Sequence, residues 1–298
     1  MTFARVLITG GGGQLASDLE ELLAERAEVV SLPHEECDVT DDAAIARALD
    51  GVAPDAVFNC AAFHNVDLCE REDDRSFEVN ARAVKRLAER CEAAGAKLIH
   101  MSSNYVFDGT APDPYREDDR PNPRSVYAIS KLAGEHAALA YAPGALVVRT
   151  AGLYGLRGSA SKGGNFVTRM VERARQQGEL KMVADQRLAP TFTADLVQAL
   201  VAAVDVDAAG ILHLTASGDC SWFEFTEAIM ALAGIDVPME PVATTRAPGG
   251  ADRPLNGALA RPAGDALGLA PLRHWRDALA DYMGRAGLSA AAPATSGR

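Results

Sequence analysis

Among the side chains of this 298-residue chain that could do chemistry, Tyr127 and Lys131 stand out by their spacing. They lie in Arg124-Ser-Val-Tyr-Ala-Ile-Ser-Lys131, which reads as the opening of a helix. Pro121 and Pro123 punctuate the chain before it, Ser125 can cap, and Leu132-Ala-Gly-Glu-His-Ala-Ala-Leu139 continues in helix-compatible residues. Four residues apart on a helix, the phenol and the ammonium share one face. A phenol gives a proton to a developing alkoxide at neutral pH only when its phenolate is stabilised, and a neighbouring ammonium does that by charge attraction. Moving a tyrosine pKa from about 10 to about 7 takes roughly 4 kcal/mol, which one close lysine and a second positive charge can supply. Tyr-x-x-x-Lys also arises by chance, so the reading rests on the elements around it.

Those elements begin with Arg5-Val-Leu-Ile-Thr9, a β-branched and apolar run that flows into Gly10-Gly-Gly-Gly-Gln-Leu-Ala16. Strand, glycine turn and helix (about Gln14 to Arg26) follow one another. Gly10 suits a tight turn, Gly13 lets backbone approach a diphosphate, and the amides at Gln14 and Leu15 open a helix N-terminus that binds anions. A dinucleotide is the ligand this arrangement fits, and an oxidised nicotinamide ring would be the second positive charge beside Tyr127. Glu28–Leu32 is a second strand. Asp38 and Val39 follow, with Asp38 either accepting from an adenine amino group or capping the helix Ala43–Leu49. Asp55–Asn59 is a third strand, and the small residues Cys60, Ala61 and Ala62 after it let a loop lie close to a cofactor. A helix from Asp74 to Ala94 carries Asn80. Lys97–Ser103 is a fourth strand ending in two hydroxyls, and Ala145–Thr150 is a fifth. Strands alternating with helices predict an α/β fold, a Rossmann-type doubly wound parallel sheet with ligands at the carboxyl ends of its strands.

The remainder reads as a smaller C-terminal substrate-binding lobe. A glycine- and serine-rich loop, 155–164, is of the kind that moves over ligands. Helices are expected at Asn165–Gln177, Thr193–Val204, from Ser221 to Ala233, and around Trp275, with strands at Leu180–Val183 and Gly210–Thr215. Pro238–Pro254 reads mostly as loop, and 288–298 as a disordered tail. The division is then 1–150 with about 188–216 for the dinucleotide domain, and about 151–187 with 217–287 for the lobe. A net charge of −12, with no dense Lys or Arg run, argues against nucleic-acid and anionic-membrane partners. The five cysteines form no CxxC pair, and together with an N-terminus that reads straight into a strand they point to a reducing cytosol. Cys60, His64 and Cys69 fit no common zinc spacing. Trp222 and Trp275 read as packing residues.

Taken in order, the glycine turn, Asn59-Cys-Ala-Ala62, Met101-Ser-Ser-Asn-Tyr-Val-Phe-Asp-Gly109 and Tyr127-x-x-x-Lys131 resemble the extended short-chain dehydrogenase/reductases. More narrowly, Val66-Asp-x-x-Glu70, Lys131-Leu-Ala-Gly-Glu135, Gly164-Asn-Phe166, Asp185-Gln186 with Ala189-Pro-Thr191, Ala216-Ser-Gly-x-x-Ser-Trp222 and Arg253-Pro-Leu-Asn256 resemble dTDP-4-dehydrorhamnose reductases, over residues 4 to 285. The resemblance implies reduction of the 4-keto group of a nucleotide-activated deoxysugar by NADPH or NADH. Tyr127 would protonate the oxygen, Lys131 hold the ribose hydroxyls and stabilise the phenolate, and Ser103 orient the carbonyl. Asn80 would join the cofactor site. His64, Asn104, Tyr105, Gly152 and Asn165 would meet the sugar, and Arg253 and Asn256 the nucleotide side, where a guanidinium suits a diphosphate.

The chain also departs from the family's pattern. Ser103-Asn104 stands where Thr-Asp is usual, His64 where threonine is, and Gly152 where a tryptophan lines the sugar pocket, so another sugar or small ketone is open as substrate. Of the acidic cluster that holds magnesium at a dimer interface in some relatives only Asp18 is matched, so no metal is expected, while a homodimer remains compatible. After the second strand, Val30-Ser-Leu-Pro-His34 offers neither the acid that selects NADH nor an arginine for a 2′-phosphate. Ser31 and His34 can donate to that phosphate, which predicts that both cofactors work with a modest preference for NADPH. The rivals are a non-catalytic regulatory subunit that keeps the cofactor site, and a nucleotide-sugar epimerase or dehydratase.

Overall fold

The computed structural model of the protein describes residues 3–157 and 163–290. The chain opens with β1 (Arg5–Thr9), α1 (Gln14–Leu23), β2 (Glu28–Leu32), α2 (Asp42–Val52), β3 (Ala56–Asn59) and α3 (Val66–Cys69). There follow α4 (Asp73–Phe77), a π-helical turn (Glu78–Arg82), α5 (Ala83–Ala94), β4 (Lys97–Ser103), α6 (Val126–Tyr141) and β5 (Leu146–Thr150). All the pairings of the six-stranded sheet are parallel, and its order is β2-β1-β3-β4-β5-β8, where β8 is Gly210–His213. The winding reverses between β1 and β3, so the loops that leave their carboxyl ends diverge and open a crevice there.

Side-chain alternation along the strands builds two apolar layers. Val6, Ile8, Phe58, Ile99, Leu146 and Val148 pack against Leu15, Leu19 and Leu23 of α1, and against Leu196, Leu200 and Val204 of α8 (Thr193–Asp205). On the opposite face Leu7, Val57, Leu98 and Val147 meet Ile45 and Leu49 of α2, Val84, Leu87 and Cys91 of α5, and Ala138 of α6. A separate apolar cluster joins α7 (Phe166–Gln177), α9 (Trp222–Ala233) and α11 (Trp275–Arg285) around Tyr154, Phe192, Phe225 and Trp275. Trp275 is buried there and Trp222 packs on Phe166. The short strands β6 (Leu180–Val183), β7 (Arg187–Leu188) and β9 (Cys220–Ser221) complete this half, together with β10 (Met239–Val242), which runs parallel to β6. The helix α10 (Pro262–Ala266) packs instead on β8 and the sheet's first apolar layer.

Three expectations change. The helix foreseen from Asp74 to Ala94 is interrupted by the π turn at Glu78–Arg82, which pushes the Asn80 carbonyl outward against α6. A Cβ on Gly134 would lie 2.2 Å from that oxygen, so only glycine fits the crossing. The Pro238–Pro254 segment contains β10. Leu288–Ala290 dock on the helical cluster, with the Ala290 amide donating to the Leu232 carbonyl at 2.8 Å. The central stretch of the 155–164 loop and the tail beyond Ala290 lie outside the described residues.

Candidate active site

Helix α6 is fixed at its start by two acceptors. The Ser125 hydroxyl caps the Ala128 amide at 3.3 Å, and Glu70 Oε1 accepts the Val126 amide at 2.8 Å. The first turns then aim Tyr127 and Lys131 at the end of β4. Lys131 is 2% exposed, and its Nζ donates to the Met101 carbonyl at 2.6 Å. The Tyr127 phenol lies near the Ser103 hydroxyl, which favours its ionised form. Ser103 Oγ in turn donates to Asn104 Oδ1 at 3.3 Å and accepts the Tyr105 amide at 3.2 Å, while the Tyr105 ring meets Tyr127 edge-on at 5.8 Å. The expected lowering of the tyrosine is reversed here. Burial pushes the Tyr127 phenol up, with the Ser103 hydroxyl opposing, and drives Lys131 down to about 8, with Glu135 and Cys60 opposing. Desolvating a phenolate outweighs an ammonium whose proton is already given to a carbonyl.

On the crevice side, Gly10 has φ +76°, and a Cβ there would sit 2.7 Å from the Ala61 amide nitrogen. The first turn and the Cys60–Ala62 loop can therefore approach only through glycine. Gly13 is the N-cap of α1, no side chain caps that helix, and its first turn carries no acid. An uncapped N-terminus at the sheet's crossing point is a diphosphate cradle. Beside it, among the described residues, the buried Ser31 Oγ has no hydrogen-bond partner, and it would lie 2.8 Å from a Cβ on Gly11. These features and the buried amine of Lys131 fit a nicotinamide dinucleotide. Leu15 offers only its backbone, since its side chain is in the core, and Gln14 Oε1 accepts the Gly155 amide at 3.0 Å. Asp38 Oδ1 accepts both the amide and the hydroxyl of Thr40, at 2.9 and 2.8 Å. The cap of α2 is Asp41, not Asp38. Val39 is buried beside Asp38, and burial pushes the Cys60 thiol up to about 12.

Several expected ligands of cofactor and substrate turn out to hold the scaffold. Asn80 is fully buried; its Oδ1 accepts the Phe63 amide and its Nδ2 donates to the Phe63 carbonyl, both at 2.9 Å, so it shapes the loop after β3 from behind. Asn165 caps α7 and donates to the Gly155 carbonyl and the Tyr282 hydroxyl. Asn256 Nδ2 spends its protons on the Ala111 and Asp113 carbonyls. In each case the amide's donors are engaged within the protein. Asn104 Nδ2 donates to the Gly257 carbonyl at 3.0 Å, tying the segment before α10 to the end of β4. His64 Nδ1 lies 3.3 Å from the Ala62 carbonyl. Gly152 follows β5 with φ +56°, where a Cβ would lie 2.8 Å from Leu188 Cδ1, so a large side chain there would require Leu188 to move. Arg253 pairs with Asp67, Nη2 to Oδ2 at 2.7 Å, and donates through Nη1 to the Ala251 carbonyl at 3.3 Å.

Sequence reasoning missed a buried ion pair beneath Lys131. Arg149 of β5 grips Glu135 of α6 through Nε and Nη2 at 2.9 and 2.7 Å, and Ser102 Oγ donates to the same carboxylate at 2.5 Å. The available signal was a lone arginine inside the apolar strand Leu146-Val-Val-Arg149.

With this geometry in view, the comparisons with known proteins are direct. Residues 4–287 match the family described as RmlD substrate binding domain. A dTDP-4-dehydrorhamnose reductase of Mycobacterium tuberculosis is 40% identical over 299 residues, spanning 98% of this chain and 94% of the relative. A probable dTDP-4,6-dihydroxy-2-methyloxan-3-one 4-ketoreductase of Streptomyces antibioticus is also 40% identical, over 92% of this chain and 93% of its own length. The solved dTDP-4-dehydrorhamnose reductase of Bacillus anthracis, in complex with NADP, is 31% identical with a TM-score of 0.89, covering 95% of this chain and 99% of that one. The chain therefore belongs to the dTDP-4-dehydrorhamnose reductase family, within the extended short-chain dehydrogenase/reductases.

Proposed function

We propose that this protein reduces the 4-keto group of a nucleotide-activated deoxysugar, with NADPH or NADH as reductant. The observation that carries this reading is the placing of the Tyr127 phenol near the Ser103 hydroxyl and of a buried lysine at the end of β4, in a sheet whose crossing point carries a glycine turn. When bound, the reduced nicotinamide supplies hydride to the carbonyl carbon. Gly10 and Gly13 admit the diphosphate to the α1 N-terminus, and Lys131 holds the ribose hydroxyls. Ser103 and Tyr127 donate to the substrate's carbonyl oxygen, which polarises it and fixes which face is presented. Tyr127 then passes its proton to the oxygen as the C–O bond lengthens to an alkoxide. Its raised phenol keeps it protonated beforehand, and the Lys131 ammonium offsets the phenolate left behind. Burial excludes water from the transfer and strengthens both interactions. The cytosol suits a chain whose five thiols are all free.

Tyr127→Phe tests the assignment. It removes the proton and leaves the ring in place, so turnover should fall at least about 10²-fold while the dissociation constant for NADPH changes less than about twofold. Turnover equal to that of the parent would remove Tyr127 from the mechanism.

A further inference from the structure

Arg253, the cation expected to meet a substrate diphosphate, already holds an anion. Its Nη2 lies 2.7 Å from Asp67 Oδ2, and Asp67 belongs to the short helix α3 that follows the cofactor loop. Arg253 Nη1 donates to the Ala251 carbonyl at 3.3 Å, the guanidinium's charge favours the Tyr105 phenolate, and the Tyr105 ring stands edge-on to Tyr127 with centroids 5.8 Å apart. Arg253 and the proton donor thus both neighbour the same tyrosine, Tyr105. The other carboxylate oxygen of Asp67 accepts the Ala251 amide at 3.0 Å, so the carboxylate is held in place by the same segment that carries Arg253.

We propose that Asp67 is a competing counter-anion, which occupies Arg253 until a diphosphate displaces it and so weakens the hold on the nucleotide; this rests on the reading of the substrate as a nucleotide-activated sugar. The pair is half-exposed, 32% for Arg253 and 48% for Asp67, so water screens it and the exchange is open to a competing anion. A diphosphate can take the guanidinium in a two-pronged, charge-assisted contact that one carboxylate oxygen does not match. A neutral sugar or a simple ketone cannot, and it meets a mouth whose cation is already neutralised. Asp67 thus lowers the affinity for a nucleotide diphosphate and eases its release after turnover, while leaving an uncharged ligand unaffected. Arg253 in turn holds the Asp67 carboxyl below the usual carboxylate range, so the competitor stays charged at neutral pH.

Calorimetric titration with thymidine diphosphate, on protein saturated with NADP, tests this. Asp67→Asn keeps an oxygen for the Ala251 amide and removes the charge. It should bind the diphosphate on the order of tenfold tighter, as expected from deleting a nearby like charge in a partly solvated site. Asp67→Glu keeps the charge and should stay within about twofold of the parent, while uncharged thymidine should not distinguish the variants. Arg253→Gln should weaken the diphosphate and abolish the gain from Asp67→Asn in the double variant. Unchanged or weaker binding by Asp67→Asn, a gain equally present in Asp67→Glu, or a gain that survives without Arg253 would each overturn the inference. These titrations read binding without turnover. A chain that reduces a keto-sugar but fails the pattern loses only this inference, and one that shows the pattern but reduces no keto-sugar loses the proposed reaction.

Discussion

In the proposed reaction two side chains one helical turn apart carry the chemistry, and their electrostatics depend on what surrounds them more than on each other. The Tyr-x-x-x-Lys spacing was legible in sequence, as was a hydroxyl at the end of β4. The sign of the tyrosine's perturbation was not, because it depends on how deeply the fold buries the phenol and on Lys131 turning to the Met101 carbonyl. Both are properties of tertiary packing. A pH dependence follows with a definite sign. Lys131 is an ammonium below about 8 and loses its charge as pH rises through that value. NADPH affinity should be level up to that point and weaken above it. Fluorescence titration of NADPH between about pH 6.5 and pH 9.5 would show the fall, and Lys131→Met should bind weakly and without that pH dependence. Affinity that stayed flat to the ordinary lysine range near pH 10.5 would contradict the ribose contact.

At the level of elements, strands made of β-branched runs and the helices that follow glycine turns were legible because their patterns are local. The π turn at Glu78–Arg82 was not. It exists to seat the Asn80 carbonyl over Gly134 and the Asn80 amide against Phe63, contacts between residues far apart in sequence. Strand β10 was hidden by Pro241, which argues against a strand, yet β10 lies at the edge of a two-stranded sheet where proline is tolerated. The contact between α6 and β5 that supports Lys131 is the buried Glu135–Arg149 pair, each 2% exposed. Removing one partner leaves an uncompensated charge in the interior. Arg149→Met should therefore cost about 3–5 kcal/mol of unfolding free energy, and adding Glu135→Leu should restore much of it. Urea denaturation measures both. A loss under about 1 kcal/mol in the single variant would mean that water reaches the carboxylate.

Over the whole molecule, the sheet order puts the glycine turn, the Cys60–Ala62 loop and the end of β4 on one rim, and the segment after β10 is tied to that rim through Asp67. Reading α/β alternation was enough to foresee the rim, since parallel strands must deliver their carboxyl ends to one side. Arg253's engagement with Asp67 was out of reach, because its two residues come from opposite ends of the chain. Cofactor choice is a property of the rim. With Ser31 Oγ buried and unpartnered among the described residues, NADPH should be preferred by about 1 kcal/mol, one hydrogen bond to a charged group, and Ser31→Ala should erase the preference. Comparing kcat/KM for NADPH and NADH in both proteins tests this, and a strong NADH preference in the parent would contradict it. The central claim is met most directly by mixing the purified protein with NADPH and a dTDP-4-keto-6-deoxysugar and following the nicotinamide absorbance. The account predicts stoichiometric loss of that band with appearance of the 4-hydroxy sugar, in the parent and not in Tyr127→Phe. A keto-sugar that is consumed with no net oxidation of NADPH, or an absorbance that does not change at all, would contradict it.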